Sequence, residues 1–125
     1  MGKMTRAIAF ASAGLALVLL ASPVLAHCFP DKSTPAAASV VTEAPAQVVV
    51  HFDNQFNPAS TAVRVLNENG DVVSGAGKPS DDARALTVPL KPLTPGQYFV
   101  KWRATSQDGD HTMGAYSFTV KGAAH

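Results

Sequence analysis

Apolar residues in this chain fall into two regimes. Residues 7–21 form one long apolar run, whereas from Val48 onward apolar positions come in short bursts separated by Gly, Pro, Asn and Asp. Val48-Val49-Val50-His51-Phe52 is β-branched and apolar, which predicts a strand. Residues 61–66 alternate, with Thr61, Val63 and Val65 on one face and Ala62, Arg64 and Leu66 on the other. Asn69-Gly70 leading into Val72-Val73 predicts a tight hairpin. Residues 85–90, 97–104 and 115–120 read as further strands. In the second of these Tyr98, Val100 and Trp102 share a face, with Trp102 as core anchor, and in the third Tyr116, Phe118 and Val120 do. No helical period occurs outside the first run. Six or seven strands with frequent turns predict an all-β domain, an Ig-like antiparallel sandwich of Greek-key type and about 100 residues.

The first run belongs to a different kind of segment. Lys3 and Arg6 precede it, Pro23 breaks it, and Val24-Leu25-Ala26 supplies residues tolerated before a cleavage site. This pattern predicts a signal peptide over 1–26, a folded domain over 27–121 and a short tail over 122–125. An apolar run of 15 residues is shorter than the roughly 20 needed to cross a bilayer, so the mature chain is read as exported, without membrane insertion. After the leader, eight Lys and Arg face nine Asp and Glu, given ten and nine in the whole chain with Lys3 and Arg6 removed. That balance excludes a nucleic-acid footprint.

A single cysteine, Cys28, means no internal disulfide, so stability comes from packing or from something bound. A lipoprotein alternative makes Cys28 the acylated first residue. It requires a small side chain where this chain has His27, and it would delete His27 from the product.

The inventory lacks a nucleophilic-serine elbow, a phosphate-cradling glycine loop and a cysteine pair for zinc. Histidine remains. Cleavage after Ala26 makes His27 the first residue, and a terminal histidine chelates a metal through its own amine and Nδ1 together. The ordinary amine pKa of about 8 lets a strong binder displace the proton near neutrality. Nitrogen plus oxygen donors in a tetragonal arrangement suit Cu(II). Asp108-Gly109-Asp110-His111 is the second cluster. Carboxylates at i and i+2 project to one side of an extended chain, so Asp108 and Asp110 converge while His111 faces away unless the segment bulges. Asp81-Asp82 reads as a solvated loop, His51 as a strand residue facing solvent, His125 as part of the tail, and Met113 as a packing residue.

Taken together, His27, Ser33-Thr34-Pro35-Ala36, Ala44-Pro45 before the 48–52 strand, Tyr98-Phe99-Val100-Lys101-Trp102-Arg103, Ser106-Gln107-Asp108-Gly109 and Gly114-Ala115-Tyr116-Ser117-Phe118-Thr119-Val120 give the chain a family likeness. It resembles the CopC-like periplasmic copper-binding proteins. The resemblance implies a Cu(II) site built from the terminal histidine, a strand carboxylate and an Asp-x-His element before the last strand. His27 matches the first ligand and Asp108 the aspartate. Two departures stand out. Asp110 occupies the place of the family's histidine, with His111 one position later, and Asn54 occupies a place where glutamate is frequent. The candidate metal set is therefore His27, Asp108, Asp110 and His111.

The resemblance implies a non-enzymatic, monomeric periplasmic carrier or buffer of copper that acts in copper resistance or homeostasis. Its expected partners are the copper ion and an inner-membrane copper transporter of the CopD type. The lone Met113 after the leader gives no support for a thioether Cu(I) site. Two rival readings are a metal-free Ig-like interaction module whose ligands have degenerated and a histidine-initiated copper oxidative enzyme.

Overall fold

The computed structural model describes residues 27–122; the predicted signal peptide and His125 lie outside the described residues. Eight strands follow in order: β1 (Pro30–Thr34), β2 (Val40–Val41), β3 (Gln47–Phe52), β4 (Ala62–Leu66), β5 (Lys78–Pro79), β6 (Ala85–Pro89), β7 (Gly96–Thr105) and β8 (His111–Val120). They form two four-stranded sheets, ordered β1-β3-β6-β5 and β2-β8-β7-β4. The chain crosses from one sheet to the other after β1, β2, β3, β4 and β6, staying in one sheet only for β5–β6 and β7–β8, which is the Ig-like arrangement. The all-β sandwich expectation holds.

Alternation is what closes the two layers. Burial in β3 follows Val48, Val50 and Phe52, and in β7 it follows Tyr98, Val100, Trp102 and Ala104. These side chains meet Val63, Val65, Leu86, Val88, Phe118 and Val120 in one core. Trp102 is 9% exposed and is packed edge-on against Phe29 and Phe52, with ring centroids 6.2 Å and 6.0 Å away. The Tyr98 hydroxyl donates to the Thr94 carbonyl at 2.7 Å and accepts from the Thr94 amide at 3.2 Å. This is a tyrosine corner, which ties the β6–β7 connection to the start of β7.

Four expectations need correction. The sandwich is not wholly antiparallel, because β2 runs parallel to β8 through Val40↔Thr119 and Val41↔Val120. The Asn69-Gly70 turn forms, with Gly70 at φ +86°, but Val72 returns only as an isolated bridge to Leu66. Ser74 explains this: its hydroxyl accepts from the Val65 amide, and Ser74 itself bridges to Leu90, so the returning arm crosses toward the other sheet. The last strand starts four residues earlier than expected, at His111, and that sets the parity of every side chain before Ala115. Met113 consequently points outward and is 77% exposed rather than packed.

Candidate metal centre

The site region lies where the first described residues meet the β7–β8 turn. Residues 27–29 are pinned by the turn that follows β3. The Phe29 amide donates to Asp53 Oδ1 and the Asp53 amide to the Phe29 carbonyl, both at 2.9 Å. Asn54 Nδ2 donates to the His27 carbonyl at 3.1 Å. From the other sheet, Thr112 Oγ1 donates to the Cys28 carbonyl at 2.5 Å.

Cys28 is fully buried in the core, with Sγ donating to the Gln55 carbonyl at 3.1 Å. Burial, followed by the nearby charges of Asp53 and Asp108, pushes its thiol above the ordinary range, with Arg84 acting in the opposite sense. Cys28, two residues past the predicted cleavage point, is thus a core residue.

Ser106 shapes the turn. It is 2% exposed, and its hydroxyl donates to Asp108 Oδ1 and accepts from the Asp110 amide at 3.1 Å. Its amide donates to the Asp110 carbonyl at 2.9 Å, and Gly109 takes φ +96° to let the chain reverse. Gln107 Nε2 anchors the turn to the Phe56 carbonyl at 2.8 Å.

These contacts sort the four sequence candidates. His27 and Asp110 come together, with His27 Nδ1 3.4 Å from Asp110 Oδ2. That carboxylate oxygen is shielded from solvent and has no hydrogen-bond partner. Asp108 commits one oxygen to Ser106 in the same turn. His111, opposite Thr105 at the first position of β8, has Nδ1 3.1 Å from Thr105 Oγ1. The next residue, Thr112, is the one that reaches Cys28, so His111 takes the outward side. Among the described residues no group of three or more His, Cys, Asp and Glu side chains is gathered tightly enough to hold a metal. Side chains alone therefore supply a pair of donors.

The pair fits a metal ion. Two donors about 2.0–2.1 Å from one ion lie about 2.8–3.4 Å apart for angles between square and tetrahedral. Asp110 Oδ2 is shielded and has only His27 beside it, while the two side chains stay 38% and 44% exposed, so the pair is open to a cation from solvent. The residues missed in the sequence are those that position the pair: Cys28, Asp53, Ser106 and Thr112. None carries a spacing signal, and only the short polar strings Asp53-Asn54 and Ser106-Gln107 hinted at side-chain capping of turns.

Residues 31–121 match the family model described as the CopC domain. Protein YobA of Escherichia coli is 33% identical, over 97% of this chain and all of its own length. Copper resistance protein C of Pseudomonas syringae is 33% identical over 83% of this chain and 88% of its own. Copper transport protein CutJ of Bacillus subtilis is 33% identical over 85% of this chain but only 20% of its own length. Among solved structures, CopC from Methylosinus trichosporium superposes with a TM-score of 0.72 at 33% identity, covering 79% of this chain and 96% of that one.

Proposed function

Because the chain belongs to the CopC family of copper resistance proteins, we propose that it binds Cu(II) outside the cytoplasm through the freed amine and Nδ1 of His27, with Asp110 as the acidic donor. The observation that carries this reading is the solvent-shielded Asp110 Oδ2, without a hydrogen bond, 3.4 Å from His27 Nδ1. The amine closes a chelate within one residue, so the folded chain has to add only the carboxylate. In this reading Asp110 performs the task of the family's histidine. An oxygen in place of a nitrogen makes the site harder and weakens its preference for copper. Asp108 contributes negative field from the same turn, and His111 remains with Thr105.

The mature chain starts at His27. Acylation of Cys28 would require its buried thiol, which donates to the Gln55 carbonyl, to leave the core. No helix among the described residues is long and apolar enough to cross a membrane. The role is that of a monomeric carrier or buffer handing copper to a membrane transporter of the CopD type. In support, a segment like this one makes up a fifth of the copper transport protein CutJ.

The test is the exported product itself. Its intact mass should correspond to residues 27–125, and titration with Cu(II) should give one equivalent with a weak d–d band and nitrogen hyperfine structure in its electron paramagnetic resonance spectrum. A product beginning elsewhere, or a spectrum with oxygen donors only, would sink the reading.

A further inference from the structure

The outward face of β4, β7 and β8 presents an unusual distribution of charge. Arg64 lies directly opposite Lys101, and Arg103 is two residues further along β7 opposite Ala62. On the other side Lys101 pairs with Ala115 and Arg103 with Met113. All three cations are exposed. They line a surface groove with Ala62, Ala115 and Met113. The 25 residues of the three strands include no Asp or Glu, and among the described residues none of the three cations forms an ion pair.

Two points argue that this is more than a solvated face. Like charges directly across a strand pair destabilise a sheet, so stability alone favours an acid at position 64 or 101. The domain is also not basic overall: residues after the leader carry eight Lys and Arg against nine Asp and Glu, and three of the eight converge here.

We propose that this face docks an extended acidic segment of a partner protein, with Arg64, Lys101 and Arg103 as its readers. Residues two apart in a strand are about 6.6–6.8 Å apart on one face, so Lys101 and Arg103 match carboxylates at alternate positions of an extended peptide. The arginines add forked, two-point recognition of carboxylate. Alanine side chains leave room for the peptide backbone. A lipid surface fits less well: three cations fall below the roughly four to eight that mark headgroup-binding clusters, and Met113 is the one large apolar side chain strongly exposed on these strands.

The proposal is independent of the metal reading and is tested with and without Cu(II). The isotopically labelled chain from His27 to His125 is titrated with a fluorescent, acetylated peptide of alternating glutamate and threonine. We expect saturable polarisation that weakens steeply as salt rises from about 20 to about 200 mM, with amide shifts confined to β4, β7 and β8. Arg64→Glu and Lys101→Glu should each weaken binding about tenfold or more while leaving the melting temperature unchanged or raised, since each replaces a repulsive pair by an attractive one. Lys78→Glu, on exposed β5, should have little effect. Equal loss in the Lys78 variant, shifts elsewhere, or no binding at low salt would overturn the proposal. So would Arg64-dependent binding of phosphatidylglycerol vesicles by a chain that ignores the peptide.

Discussion

At the scale of single residues, the decisive position is 110. The resemblance puts histidine there, and the chain supplies aspartate with histidine immediately after it. Because β8 begins at His111, strand parity sends Thr112 toward Cys28 and His111 away, so the later histidine does not compensate. We expect His27→Ala to lower Cu(II) affinity by about 100-fold or more, equivalent to about 2.7 kcal/mol. Asp110→Asn should cost about tenfold and His111→Ala little, as read by competition with a chelator of known strength. A larger loss at His111 than at Asp110 would mean that the turn rearranges on binding.

The sequence made His27 legible through the cleavage pattern, and strand parity made the His111 problem legible. Ser106, which draws Asp108 into the turn, was legible only as part of a polar string, because which of two nearby carboxylates a serine hydroxyl takes is decided by the loop's own geometry. Cys28 was visible only as a processing question, since one buried residue on an irregular segment has no period. Its burial has a pH consequence. An acid whose folded pKa is raised stays protonated longer in the native state than in the unfolded chain. Its contribution is therefore fully present below the ordinary thiol value of about 8.5 and is lost as pH rises through the folded value. Denaturant unfolding from pH 7 to pH 10.5 should show an alkaline decline that flattens in Cys28→Ser, whose hydroxyl does not titrate in this range.

At the scale of elements, strands with a buried alternating face could be read from the chain and short edge strands could not. β3, β4, β6 and β7 each bury every second residue. β1, reading Pro-Asp-Lys-Ser-Thr, buries none, and it exists because Ser33 and Thr34 pair with Val50 and Val49 of β3. β2 and β5 are two residues each and owe their structure wholly to their neighbours. The β7–β8 pairing also carries a packing constraint at Gly114, which stands directly across from Trp102. A Cβ there would come within 2.7 Å of the indole ring. Gly114→Ala must push Trp102 against Phe29 and Phe52, and overpacking of this kind costs about 1–3 kcal/mol. The change should lower the melting temperature and shift the emission of Trp102, the chain's only tryptophan. An unchanged spectrum would mean that the strand pair, not the ring, gives way.

At the scale of the whole molecule, the sandwich closes around an apolar core without a disulfide, so the ion is not needed to hold the fold. How far the ion stabilises the fold then depends on what the unfolded chain can do with it. The proposed His27 chelate closes within one residue, so the unfolded chain would retain it in full. A ligand stabilises the native state only by its preference for that state over the unfolded one. In the proposed site that preference would come from Asp110 and its neighbours. If Asp110 is worth tenfold, the stabilisation levels off near about 1.4 kcal/mol however much copper is added. For a domain of about 100 residues that is a rise of roughly 6–11 °C in melting temperature. Thermal melts across a copper series should therefore reach a plateau, and Asp110→Asn should remove most of the rise at a cost of only about tenfold in affinity. Preceding His27 with one extra residue should remove both, because it consumes the amine. A melting temperature that keeps climbing with the logarithm of copper concentration would require several donors present only in the folded chain, with Asp108 or His111 recruited to the ion and His27 no longer dominant.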